Sequence, residues 1–188
     1  MNNFWCNKGH LNIDQANFIK KLLDESEVHY ALETGFCTGR STSTVLTNAK
    51  KLKKMISIDI NFDYIKPEGR EYKTLLESNF PNFSAIENSS RNILNEPFLN
   101  KEFPNGIDWV TIDGDHSYSG CLYDLSAVVK HMNKNGIILI DDYKSGPPNG
   151  CSIPDVTRAC DSFYSEHSYL QKEEWNVKGK GFCIFRRT

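Results

Sequence analysis

No apolar run in this chain approaches the roughly 18 residues needed to span a bilayer, and Met1-Asn-Asn-Phe-Trp-Cys-Asn-Lys8 holds no apolar signal core. The expectation is a cytoplasmic protein with no membrane partner. Neither sign of charge prevails: 22 Lys and Arg stand against 24 Asp and Glu, for a net charge of −2. Nothing here attracts a polyanion, so a small ligand is expected in preference to nucleic acid. The lysines of Lys50-Lys-Leu-Lys-Lys54 end a helical stretch, where cations complement the helix dipole. The six cysteines (Cys6, Cys37, Cys121, Cys151, Cys160 and Cys183) form no C-x-x-C, which argues against a zinc site or disulfide frame. Cys121 and Cys183 sit in apolar runs and read as buried thiols. G-x-G-x-x-G is missing too, which disfavours a dinucleotide. Nor is there a repeat, a low-complexity tract or a linker, and 188 residues with 39% hydrophobic content suffice for one core. One domain over 1–188 is expected.

What is present alternates between two periods. Ile13, Ala16, Ile19, Leu22 and Leu23 fall at helical spacing, predicting an amphipathic helix from Asn12-Ile-Asp14 to about residue 25. A strand over 29–33, a glycine turn and a helix over 41–50 follow, the helix opening on hydroxyl residues suited to capping. Next come a strand at 55–59, a helix at 65–79 with Pro67 in its first turn, and a strand at 83–87. A fourth strand at 107–113 leads to a helix at 117–133 closed by Asn135-Gly136, then a strand at 137–140. The prolines and glycines of 144–150 forbid regular structure. A helix at 155–167 precedes two strands, 169–175 and 182–186, whose short connection makes them an antiparallel hairpin. This order predicts an α/β fold: a Rossmann-like, doubly wound sheet of seven strands, mostly parallel, with one antiparallel strand near the C-terminus.

Two successive strands run into acid, in Ile107-Asp-Trp-Val-Thr-Ile-Asp113-Gly-Asp115-His116 and in Gly136-Ile-Ile-Leu-Ile-Asp141-Asp142. Ligands of open α/β sheets bind beyond the carboxyl ends of buried strands, so Asp113, Asp141 and Asp142 are expected to converge. Three such carboxylates need a proton or a hard cation such as Mg²⁺ between them. The plainer alternative is that Asp113 holds a cofactor or caps a turn and that Asp141-Asp142 only precedes a loop. Asp115 and Ser117 read as a turn or cap pair. In Ala31-Leu-Glu33-Thr-Gly35-Phe-Cys37-Thr-Gly39-Arg-Ser41, Gly35 and Gly39 let the backbone approach a ligand, and the following helix start offers N–H donors to an anion. A carboxylate and an amine suit this loop beside Glu33, and Asp59 at the next strand end suits two ribose hydroxyls. Together these groups describe S-adenosylmethionine.

At these residues the sequence resembles the class I S-adenosylmethionine-dependent methyltransferases over nearly the whole chain from about Asp14. Glu33-Thr-Gly35-Phe-Cys37-Thr-Gly39-Arg-Ser41 is similar to the cofactor loop of metal-dependent O-methyltransferases, both the catechol type and the macrocin or novobiocin sugar type. Cys37 replaces the middle glycine of the usual loop, as in the catechol group. Ile112-Asp113-Gly-Asp-His-Ser-Tyr118 with Ile140-Asp141-Asp142-Tyr143 is similar to the sugar enzymes and to the group called methyltransferase domain 24. The resemblance implies that Glu33, Gly35, Cys37, Thr38, Gly39 and Ser41 cradle the methionine end, Asp59 the ribose, and Ser89, Ser90 and Arg91 the adenine. It further implies that Asp113, also beside the cofactor, binds a divalent cation with Asp141 and Asp142, and that His116 is the catalytic base. The catechol enzymes usually carry Asn at the position of Asp142.

The resemblance thus implies a metal-dependent O-methyltransferase acting on a sugar, a glycan or another small diol. Two other classes stay open: a metal-free methyltransferase acting on protein or RNA, and a binding domain without catalysis. With no large insertion between strands, an acceptor lid must come from the N-terminal segment with Phe4 and Trp5, from 144–153, or from a partner subunit in a homo-oligomer. Trp109 and Trp175 read as packing residues.

Overall fold

A computed structural model of the chain describes residues 10–63 and 67–188. Phe4, Trp5 and Cys6, and the expected helix start at Ile65, lie outside the described residues. The elements run α1 Ile13–Asp24, β1 Tyr30–Thr34, α2 Arg40–Asn48, β2 Lys54–Asp59, α3 Gly69–Asn79, β3 Phe83–Glu87, α4 Ser90–Ile93 and α5 Glu96–Glu102. They continue with β4 Ile107–Ile112, α6 Tyr118–Val129, β5 Met132–Asp141, α7 Pro154–Glu166, β6 Leu170–Val177 and β7 Lys180–Arg187. The strand order is β3-β2-β1-β4-β5-β7-β6, the expected seven-stranded α/β sheet. The chain divides into two compact units, one ending at Ser89 and one formed by Ser90–Thr188.

In the first unit β1, β2 and β3 are parallel, with Glu33 opposite Ser57 and Asp59 opposite Glu87. Helix α1 opens on a capping box: the Asn12 side chain accepts from the Gln15 N–H at 2.9 Å and Gln15 Oε1 accepts from the Asn12 N–H at 3.0 Å. It buries Ala16, Ile19, Leu22 and Leu23 of the face its spacing predicted, while Ile13, at the first position of the helix, is exposed. Helix α2 departs from expectation at its start, where the N-cap is Gly39 in the left-handed region and no hydroxyl caps it. The hydroxyls of Ser41 and Thr42 are engaged elsewhere, as described below. Helix α3 begins at Gly69, with Pro67 in the turn before it. A Cβ at residue 69 would lie 1.7 Å from the Phe62 carbonyl oxygen and 2.6 Å from that of Cys37, so only glycine lets the helix start there.

In the second unit β4 and β5 are parallel, while β7 runs antiparallel to both β5 and β6. Helix α6 stops at Val129, short of the expected residue 133, and β5 starts at Met132 rather than 137. The reason is a register shift between the Ile107–Met132 and Trp109–Ile137 pairs, with Asn135 at φ 65°. Asn135-Gly136 therefore bends a strand instead of closing a helix. Two short helices, α4 and α5, fill a stretch where no element was expected; α5 is capped by Asn95, whose side chain accepts from the Phe98 N–H at 3.0 Å. Leu99 is the buried residue of α5, so no helical period was there to read. The core of this unit holds Trp109, Phe163, Phe182 and Phe185 together with the free, buried Cys121, Cys160 and Cys183. Cys121 and Cys183 beside it, together with burial, hold the Cys160 thiol well above its ordinary range. Among the described residues, no helix is long and apolar enough to cross a membrane.

Candidate functional site

Each unit carries one cluster of the residues expected to form the site. In the first, the carboxylate of Glu33 is fully buried and accepts from the hydroxyls of Ser41, Thr42 and Ser57. Ser57 reaches it because the β1–β2 register sets the two residues side by side. Glu33 thereby ties the start of α2 to the strands beneath it. Asp59, at the end of β2, accepts through Oδ2 from the backbone N–H groups of Phe36 at 2.8 Å and Cys37 at 2.9 Å, and through Oδ1 from Asn61 at 3.1 Å. The glycine loop is thus clamped from both sides.

The loop's conformation follows from its residues. Gly35 (φ 88°), Cys37 (φ 52°) and Gly39 (φ 70°) all take left-handed backbone, which turns the chain sharply between β1 and α2. A Cβ at residue 39 would meet the Phe36 ring at 2.6 Å and Leu76 at 2.8 Å. Phe36 itself is buried against Phe62 and Phe83, with ring centroids 5.4 and 6.3 Å away. Thr38 is buried and Cys37 half-buried. Helix α2, nine residues long, begins here without a side-chain cap, so its first N–H groups and dipole suit an anionic group. A methionine-type carboxylate fits this cradle.

Ser89 and Ser90 lie half-buried after β3, the Ser89 N–H donating to Asn88 Oδ1 at 2.8 Å. Arg91, in the second unit, donates to the Ser119 hydroxyl at 2.7 Å and approaches Asp115 at 3.9 Å. Its guanidinium is directed at the start of α6, where Asp115 also accepts from the Ser117 N–H at 2.9 Å and Ser117 caps the helix through Gly120 at 3.1 Å.

The second cluster is a group of acids around one histidine. Asp113 follows the last residue of β4, Asp141 ends β5, and Asp142 comes next at φ 60°. His116 Nε2 lies 3.0 Å from Asp113 Oδ1, and its Nδ1 lies 3.7 Å from Asp142 Oδ2. One ligand atom each from Asp113, His116 and Asp142 falls within 4.8 Å of the others. Asp141 is not in that trio, and its Oδ1 accepts from the Asp142 N–H at 2.7 Å. Burial, and then the charges of Asp113 and Asp142, push the Asp141 carboxyl well above its ordinary range. Burial also raises Asp113, against the hydrogen bond from His116. The Asp113 bond and the surrounding carboxylates push His116 up to about 9, against its partial burial.

Crowded carboxylates and one imidazole, charge-balanced in part by a proton on the ring, form a donor set that fits a divalent cation. The cation would replace that proton. Thr42, Ser57 and Gly69 went unnoticed in the sequence, although Ser57 carried a signal: a serine inside the apolar run Met55-Ile-Ser-Ile needs a buried partner.

A family model described as a methyltransferase domain matches residues 32–143. An uncharacterized protein of Acanthamoeba polyphaga mimivirus is 31% identical over 136 residues, covering 72% of this chain and 60% of that protein, so the chain spans less than two thirds of that relative's length. Among solved structures, the O-methyltransferase TomG of Streptomyces achromogenes, involved in tomaymycin synthesis and solved with SAM, aligns with a TM-score of 0.74 at 15% identity, over 94% of this chain and 81% of that one. An O-methyltransferase of Bacillus cereus solved with SAH aligns with a TM-score of 0.71 at 15% identity, over 96% of this chain and 84% of that one.

Proposed function

The chain belongs to the methyltransferase-domain family, and from that premise we propose that it moves the methyl group of S-adenosylmethionine to a hydroxyl of a sugar, glycan or other small diol, with a divalent cation such as Mg²⁺. The observation that carries the cofactor half is the braced glycine loop opening on the uncapped start of α2. S-adenosylmethionine supplies an electrophilic methyl on a sulfonium. The α2 N–H groups and the backbone of 35–39 receive its carboxylate, Asp59 accepts from its ribose, and Glu33 holds α2 in place through Ser41 and Thr42. Both aligned O-methyltransferases were solved with this cofactor or with SAH, which supports the reading.

On the acceptor side the carboxylates of Asp113 and Asp142 are suited to hold a cation, with His116 beside them and Asp141 fixing the backbone of Asp142. A divalent cation supplies charge that makes a bound hydroxyl more acidic and fixes its orientation. His116 or Asp113 takes the hydroxyl proton; for His116 this requires that the ring first lose the proton it holds up to about pH 9 in the cation-free chain. One observation favours a second reading without metal: His116 lies between Asp113 and Asp142, which push its ring up to about 9, so that a proton there balances part of the cluster's charge. Full turnover in excess chelator selects that reading.

Calorimetric titration of S-adenosylmethionine into the parent and Asp59→Ala tests the cofactor assignment. The variant loses a charge-assisted acceptor and two loop contacts, so affinity should fall by about ten- to a hundredfold. Equal affinity, or no binding by the parent, would remove the assignment.

A further inference from the structure

We propose that Lys180 is a specificity-determining residue of the acid cluster, its ammonium binding a carboxylate or phosphate carried by the acceptor. This rests on the reading that the cluster handles the acceptor hydroxyl. Lys180 is the first residue of β7, and two residues later Phe182 stands directly opposite Asp141 in the antiparallel pair. Residues paired across strands project to the same face, and residues two apart in a strand share a face. Lys180 therefore lies on the face of Asp141, just past the strand end that carries the acids. Its ammonium lies close enough to Asp113 and Asp141 for its charge to act on both.

The hairpin tip that carries Lys180 is fixed in place. Lys178 (φ 52°) and Gly179 (φ 85°) make the turn between β6 and β7. The Gly146 N–H donates to the Gly179 carbonyl at 2.8 Å, the Asn149 N–H to that of Lys178 at 3.1 Å, and the Gly181 N–H to Ser145 Oγ at 3.1 Å. A Cβ at residue 179 would stand 1.9 Å from the Gly146 carbonyl oxygen, so the two loops touch backbone to backbone. The segment 144–150 is thus strapped to the hairpin that presents Lys180.

Neighbouring cations are already committed. Lys144 pairs with Glu174, Lys172 with Asp161, Arg158 with Asp155 and Arg186 with Glu173. Among the described residues Lys180 makes no ion pair, although it is half-buried on the face of Asp141. Charge counting gives it a task. Three carboxylates with one divalent cation and a neutral His116 leave one net negative charge, which repels an anionic acceptor; with Lys180 the site is neutral and holds a local cation for the acceptor's charged group.

The test compares matched diols that differ in charge: glucose, glucuronate and glucose 6-phosphate, and catechol with protocatechuate. Affinities are measured by calorimetry in excess Mg²⁺ without turnover, on the parent, Lys180→Met and Lys180→Arg. Methyl transfer to the same compounds gives kcat and KM. The parent should bind an anionic member at least tenfold more tightly than its neutral counterpart. Lys180→Met should erase that preference, mainly in KM, and Lys180→Arg should keep it. The tighter of the glucuronate and glucose 6-phosphate arms identifies the charged group. A parent with no preference for the anion, or a Lys180→Met variant that retains it, overturns the proposal. Failure of the parent to bind Mg²⁺ or transfer methyl groups overturns the metal reading separately, since the anion preference is read without turnover.

Discussion

The glycine loop and the acid cluster both put carboxylates at strand ends, yet they treat them in opposite ways. Glu33 and Asp59 are held by the protein itself, one by three hydroxyls and the other by backbone amides. Asp113, Asp141 and Asp142 face one another, with His116 as the cation that relieves them. The first arrangement is a finished brace, whose value is stability and a preformed loop. The second is an electrostatically strained set that a cation or a proton must complete, as sites built for chemistry often are.

The contrast breaks most visibly at Glu33. Glu33→Ala leaves three buried hydroxyls without their acceptor and should cost about 3 kcal/mol or more in urea unfolding, with cofactor affinity lost alongside. A variant as stable as the parent would show that the brace is decorative.

A smaller but more specific effect concerns His116. Its folded value is raised, so its pairing with Asp113 contributes stability fully below about pH 6.5 and loses it as pH climbs through about 9. Its NMR titration in the cation-free chain should therefore fall near 9, return toward the ordinary imidazole range in Asp113→Asn, and move down with proton release when Mg²⁺ is added. An unshifted histidine in the parent would dissolve the difference between the two regions.

The smallest effect sharpens the comparison by reversing its sign. Asp141→Asn removes a like charge from the cluster and should stabilise the cation-free chain by about 1 kcal/mol at neutral pH while impairing turnover. The raised Asp141 proton favours the native state below the ordinary carboxylate range and ceases to do so as pH rises through the raised value. The gain should accordingly vanish on acidification. Destabilisation at neutral pH would mean that the Asp141 bond to the Asp142 N–H outweighs the repulsion.

Much of this was legible in residue order, because period and composition are local properties. Alternating apolar runs and glycine turns were enough for seven strands with one reversed, and Asn12-Ile-Asp14 marked the start of α1. Acid residues at two strand ends were legible as well, and the structure brings Asp113 and Asp142 together beside His116. Register and partnership are not local, and only the tertiary structure decided them. The shift around residues 133–136 turned an apparent helix stop into a bulge, since pairing with β4 outweighed the local turn signal of Asn135-Gly136. The hydroxyls of Ser41 and Thr42, suited by position to capping α2, went instead to Glu33, whose buried charge made the stronger claim. His116 joined the acids because a loop carries it back to β4 and β5, and Lys180 reached their side of the sheet from the far end of the chain through the antiparallel register of β7.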